Sequence, residues 1–121
     1  MVQTNSEVKL VRAQDSDLCG VLEGASVAFL AFEGTERVGQ IGATLAFGAG
    51  VAALMGIDYY GEDKNGAVAM WLKMRDYLRS EGVATVYAPI YEENQHLINA
   101  MLAIGFELDR VVINMRCNIG Q

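Results

Sequence analysis

Apolar and polar residues alternate at the start of the chain. In Val8-Lys9-Leu10-Val11-Arg12 the period is that of a strand, and the basic outer row suits an edge position. Residues 15–22 have room for one helical turn at most. Two strand-like runs, residues 26–32 and 38–48, flank the polar loop Glu33-Gly34-Thr35-Glu36-Arg37, which predicts a hairpin. After the turn Gly48-Ala49-Gly50, a run over residues 51–58 adds a third consecutive antiparallel strand.

The period then lengthens. Over residues 65–80, Ala67, Trp71, Met74 and Leu78 recur at helical spacing, Val68 and Leu72 widen the stripe, and Lys73, Arg75, Asp76 and Arg79 take the outside. Gly82 ends this helix, and Trp71 and Met74 read as core. Residues 83–88 form a β-branched strand closed by Pro89, so strand, helix and strand make a crossover with a parallel pair. A second helix over residues 95–104 puts Leu97, Ile98, Met101 and Leu102 on one face, with Asn94 as its N-cap. Last, Val111, Ile113, Met115 and Cys117 alternate with Arg110, Val112, Asn114 and Arg116 in a closing strand. The expected architecture is α/β (α+β). It is a mixed sheet of about six strands with an antiparallel first half, one βαβ crossover and two main helices.

With 121 residues and no linker, residues 1–121 read as a single domain. An apolar share of 52% and a charged share of 20% are those of a folded globular chain. A net charge of -6 and a pI near 4.6 leave no electrostatic footprint for nucleic acid or an anionic membrane. The longest apolar run, residues 41–57, is broken by four glycines and Thr44, so it reads as strands and a turn instead of a membrane span. Residues 1–7 lack the apolar core of a signal peptide, and a cytoplasmic protein is expected. Cys19 and Cys117 lack metal-ligand spacing and His96 is the single histidine, so no metal is expected. The two thiols read as small, reduced, packed residues, and His96 as facing solvent.

The stretch Asn94-Gln95-His96-Leu97-Ile98-Asn99-Ala100-Met101-Leu102-Ala103-Ile104-Gly105-Phe106 resembles the second signature of the GNAT superfamily of acyl-CoA N-acyltransferases. There a helix opens on an Asn, stops at Gly-Phe and feeds a strand, as Asn94, Gly105 and Phe106 do here. Val38-Gly39 also matches the family's frequent Val-Gly at the start of the third strand, and the element order agrees over residues 8–117. The resemblance implies an acetyl-CoA or other acyl-CoA cofactor. Strand amides near Met55 and Ile57 would hold its pantetheine arm, Lys64, Asn65, Gly66 and Ala67 its pyrophosphate, and Asn94 would also contact it. The base would be Asp58 or a water ordered by Tyr59, Tyr60 or Tyr87, and these three tyrosines would line the substrate cleft.

The chain departs from the family pattern in three places. The phosphate loop normally opens on Arg or Gln, where Glu62 stands here beside Asp58 and Asp63, and Asn65 takes a glycine position for which a left-handed conformation is needed. The family's usual general acid, a Tyr four residues before the Gly, is Met101, whose thioether has no exchangeable proton. Between Arg12 and Ser26 there is no room for the two helices that normally wall the acceptor site, and a single strand follows Phe106. A partner subunit could supply those walls through an edge such as residues 111–117, which predicts a homodimer. Two functions follow. One is an acyl-CoA-dependent N-acyltransferase acting on a small-molecule or peptide amine. The alternative is a non-catalytic GNAT-like binding or assembly module.

Overall fold

The computed structural model describes residues 8–45, 50–63, 65–109 and 115–120. They fall into two compact units divided between Pro89 and Ile90. The first holds a five-stranded sheet in the order β1-β2-β3-β4-β5 and one long helix. Its strands are β1 (Lys9–Arg12), β2 (Val27–Glu33), β3 (Glu36–Thr44), β4 (Val51–Tyr59) and β5 (Thr85–Tyr87). β1 to β4 pair antiparallel, and β5 pairs parallel to β4 after the helix α1 (Gly66–Ser80), as the alternation and the crossover predicted.

Alternation sends the two rows of β2 to different layers. Phe29 faces α1 and meets the Tyr77 ring edge-on at 6.0 Å. Ala28 and Leu30 face the opposite side, where they cluster with Leu22. Leu22 belongs to the second of two short 3-10 turns, Asp15–Asp17 and Gly20–Leu22, so the stub after β1 carries a fully buried core residue. Burying a leucine removes roughly 1.5–3 kcal/mol worth of apolar surface from water, enough to pin so short a segment.

The buried stripe of α1 is Gly66, Met70, Met74 and Leu78: Met74 and Leu78 are buried as expected, while Gly66 and Met70 take the places expected for Ala67 and Trp71. Trp71 is half-buried and Ala67 exposed. The sheet side of α1 takes the unbranched side chains of Met70 and Met74, which adapt to irregular gaps, and the Trp71 indole is only partly covered. The hairpin turn is also tighter than the expected loop: Glu33 pairs with Glu36, leaving Gly34 and Thr35 at the corner.

In the second unit α2 (Gln95–Ala103) starts where the Asn94 side chain accepts the Leu97 N–H at 3.3 Å. It closes with Phe106 N–H donating to the Met101 carbonyl at 3.0 Å. Met101 is buried, Leu97 and Ile98 are half-buried, and Leu102 is exposed, so the apolar face is narrower than the helical wheel suggested. Of the expected sixth strand, residues 111–114 lie outside the described residues, and Met115, Arg116 and Cys117 are described with no strand. Among the described residues the sheet has five strands, where about six were expected.

Candidate functional site

β5 pairs with β4 only at Val51↔Thr85, Ala52↔Val86 and Ala53↔Tyr87. β4 runs on to Tyr59, and past Ala53 no described strand lies on that side of it. β5 stops early because Pro89 has no N–H to donate and disfavours regular continuation of the residue before it. Edge N–H and C=O groups of this kind can pair with an extended amide-bearing chain.

Within the open half, Gly42 pairs with Met55 and Gln40 with Asp58, so Ile41 stands opposite both Gly56 and Ile57. This is a bulge, which bends the strand and re-aims its backbone. Gly56 is in the left-handed region at φ +60°. A Cβ there would come within 2.8 Å of the Val21 carbonyl oxygen and 2.9 Å of Leu22 Cδ2, because the 3-10 stub presses on the bulge. Met55 and Ile57 flank it, both half-buried.

Tyr59 ends β4 and organises the loop into α1. Its hydroxyl donates to the Asp63 carbonyl. Its ring occupies the space that a Cβ on Gly66 would need, so a side chain at the first residue of the helix would have to displace it. Burial, then the negative charges of Glu33 and Asp63, push the phenol above its ordinary value. Tyr59, half-buried, thus braces the loop into α1 through both its hydroxyl and its ring. Around it, Glu33 accepts the Glu62 N–H and the Asp63 side chain accepts the Asn65 N–H, each at 2.9 Å. Asn65 is right-handed, at φ -82° and ψ -9°, not left-handed as the glycine pattern suggested. It caps α1 with no side-chain bond. Lys64 lies outside the described residues.

Asp58 is exposed, and its carboxylate is held by Gln40, whose Nε2 donates to Oδ2 at 3.0 Å. Gln40 in turn accepts from Arg37 Nη2 at 2.9 Å. The row Arg37, Gln40, Asp58 escaped the sequence reading, although two polar residues inside apolar strands at opposed register positions were its available signal. Beside it, Glu33, Glu36, Val38, Tyr60, Gly61 and Glu62 line an acidic cleft of about 280 Å³.

The remaining candidates are scattered. Tyr60 and Tyr87 are exposed, Asn94 is engaged as the cap of α2, and His96 is exposed. Cys19 and Cys117 are both exposed thiols, not packed residues. Among the described residues no group of three or more His, Cys, Asp or Glu could hold a metal ion, and no helix is long and apolar enough to cross a membrane.

The sequence matches no family model and no curated protein. Solved structures share its fold. Aminoglycoside N-acetyltransferase AAC(6')-Iy in complex with CoA superimposes at a TM-score of 0.72 with 16% identity, over 91% of this chain and 99% of that one. An aminoglycoside acetyltransferase from an uncultured soil metagenomic sample, meta-AAC0020 in complex with sisomicin, gives 0.71 and 9%, over 98% and 100%. A transcriptional regulator from Bacillus halodurans C-125 gives 0.68 and 13%, over 91% and 99%. The chain has a GNAT-like fold. Likeness at these identities concerns the fold, and the last neighbour is not described as an acetyltransferase.

Proposed function

We propose that this GNAT-like chain is an acyl-CoA-dependent N-acyltransferase acting on an amine, with the pantetheine arm laid along the open edge of β4. The observation that carries the reading is the early parting of β4 from β5 after Ala53, followed by the bulge at Gly56. Pantetheine contains two amides and can pair with such an edge as an added strand does. The structural neighbours solved with CoA and with an aminoglycoside support the same reading.

When bound, an acyl-CoA supplies the acyl group as an activated thioester. The residues of this chain do the rest. The main chain at Met55 and Ile57 would hold the arm, and Asn65, Gly66 and Ala67 would offer the pyrophosphate the positive end of α1, with the Asn65 and Gly66 N–H groups having first to leave Asp63; Lys64 is the basic residue of this loop in the sequence. Asp58 takes a proton from the acceptor ammonium, its carboxylate oriented by Gln40. Glu33, Glu36 and Glu62 favour a cationic acceptor over an anionic one. A non-catalytic module is the second reading. It is favoured by Glu33 already occupying the Glu62 amide and by Met101, which has no proton to give a thiolate.

Thermal unfolding with and without millimolar acetyl-CoA separates the two. A ligand at 100 times its dissociation constant adds about 2.7 kcal/mol, which raises the midpoint by several degrees in a domain of this size. No shift would remove the transferase reading. Given a shift, Asp58→Asn should keep it while lowering acyl transfer to a polyamine acceptor by about 10²–10⁴. Unchanged transfer would take the base role from Asp58.

A further inference from the structure

At the β1 edge of the sheet, away from the β4–β5 gap, two cations sit on an aromatic pair. The Arg12 guanidinium lies 4.8 Å from the centre of the Tyr77 ring, and its Nη2 donates to the Tyr77 hydroxyl at 3.3 Å. Lys73 Nζ lies 5.9 Å from the centre of the Phe29 ring. With Asp76 these four residues line an open cleft of about 480 Å³. Three facts set it apart. Acidic residues outnumber basic ones by 15 to 9 in this chain, yet neither Arg12 nor Lys73 is ion-paired among the described residues. The carboxylate in the cleft, Asp76, is turned to Arg75 at 3.1 Å. The cations also come from different elements, β1 and α1, and flank Phe29, which is 3% exposed, so core packing fixes the floor between them.

Stacking on rings is worth only about 0.5–1 kcal/mol per cation at exposed sites. It does, however, orient the Arg12 fork, which keeps donors beyond the one given to Tyr77. The volume lies in the range of small-molecule sites. We propose that this cleft binds a small organic anion, a carboxylate or phosphate ester on a flat apolar body, with Arg12 and Lys73 gripping the anion and the half-buried Tyr77 ring, backed by Phe29, meeting the body. β1 and β4 are three strand spacings apart, about 14 Å, so the site is separate from the acyl-CoA reading and stands or falls without it.

Titrating the whole protein with benzoate and with phenyl phosphate, followed by amide ¹H–¹⁵N shifts, tests this. Neutral benzamide and inorganic phosphate are the controls. Saturable shifts centred on Arg12, Phe29, Lys73 and Tyr77 are expected with one or both aromatic anions, and which of them binds identifies the anion. Benzamide and inorganic phosphate should bind about tenfold or more weakly, as loss of a charge-assisted bond or of the apolar contact requires. Lys73→Gln, an exposed position, should weaken binding about tenfold while lowering the unfolding midpoint by no more than a few degrees. No saturable shift with either anion would overturn the proposal. So would equal binding of either control, or a Lys73→Gln protein that binds as the parent does.

Discussion

The two halves of β4 solve opposite problems with one strand. Ala53, near its start, is paired on both sides, with Thr44 of β3 and Tyr87 of β5, and is buried. Asp58, near its end, pairs with β3 alone and is exposed. The closed half is held by its ladder. The open half, short of one ladder, is held from its faces, by the 3-10 stub against Gly56 and by Tyr59 under the start of α1. Where the strand lacks one ladder, face packing takes the place of strand pairing, and glycines mark where that packing is closest.

Breaking the face packing should therefore cost more than its small size suggests. Gly56→Val puts a β-branched side chain at φ +60° and against the Val21 carbonyl, and should lower stability by about 2–5 kcal/mol, from backbone strain plus overpacking. Urea unfolding measures it, and a loss under about 0.5 kcal/mol would mean that the stub does not press on the bulge. On the other face, Gly66→Ala should cost about 1–3 kcal/mol through overlap with Tyr59, less the roughly 1 kcal/mol that alanine gains in a helix. Adding Tyr59→Ala should recover part of that loss. If the two changes are simply additive, Tyr59 is not what excludes a side chain at position 66.

The closed half of the strand was legible in the sequence and much of the open half was not. Alternation and the hairpin loop located β2, β3 and β4 to within two or three residues, apart from the end of β3, where residues 46–48 of the expected run lie outside the described residues, because one buried face imposes a period of two. The parallel return and the Asn94 cap were equally plain. The bulge was hidden, since Gly56 sits in an apolar run that reads as uninterrupted strand, and its requirement comes from Val21 and Leu22, remote in sequence. Trp71 misled because helical phase depends on the surface beneath the helix. Gly66 was read only as a phosphate-loop residue, and its close contact with the Tyr59 ring was not visible in the sequence. Gln40 and Asp58 become a pair only through strand register.

The smallest effect gives the sharpest check on how the open half is held. Tyr59→Phe removes only the hydroxyl that reaches Asp63 and should cost about 0.5–1.5 kcal/mol near neutral pH. The pH dependence carries more. Burial and the charges of Glu33 and Asp63 disfavour the phenolate, so the folded chain keeps this proton to higher pH than the unfolded one. Between the two values the unfolded state binds fewer protons, and stability falls as pH rises. The contribution of Tyr59 is therefore complete below about pH 10, the value for an unperturbed tyrosine, and is lost on rising through the folded-state value. The phenylalanine variant lacks this loss, so its stability curve should converge on that of the parent in alkali. Curves that stay parallel above pH 10 would show the hydroxyl to be solvated, and the loop into α1 would then need another support.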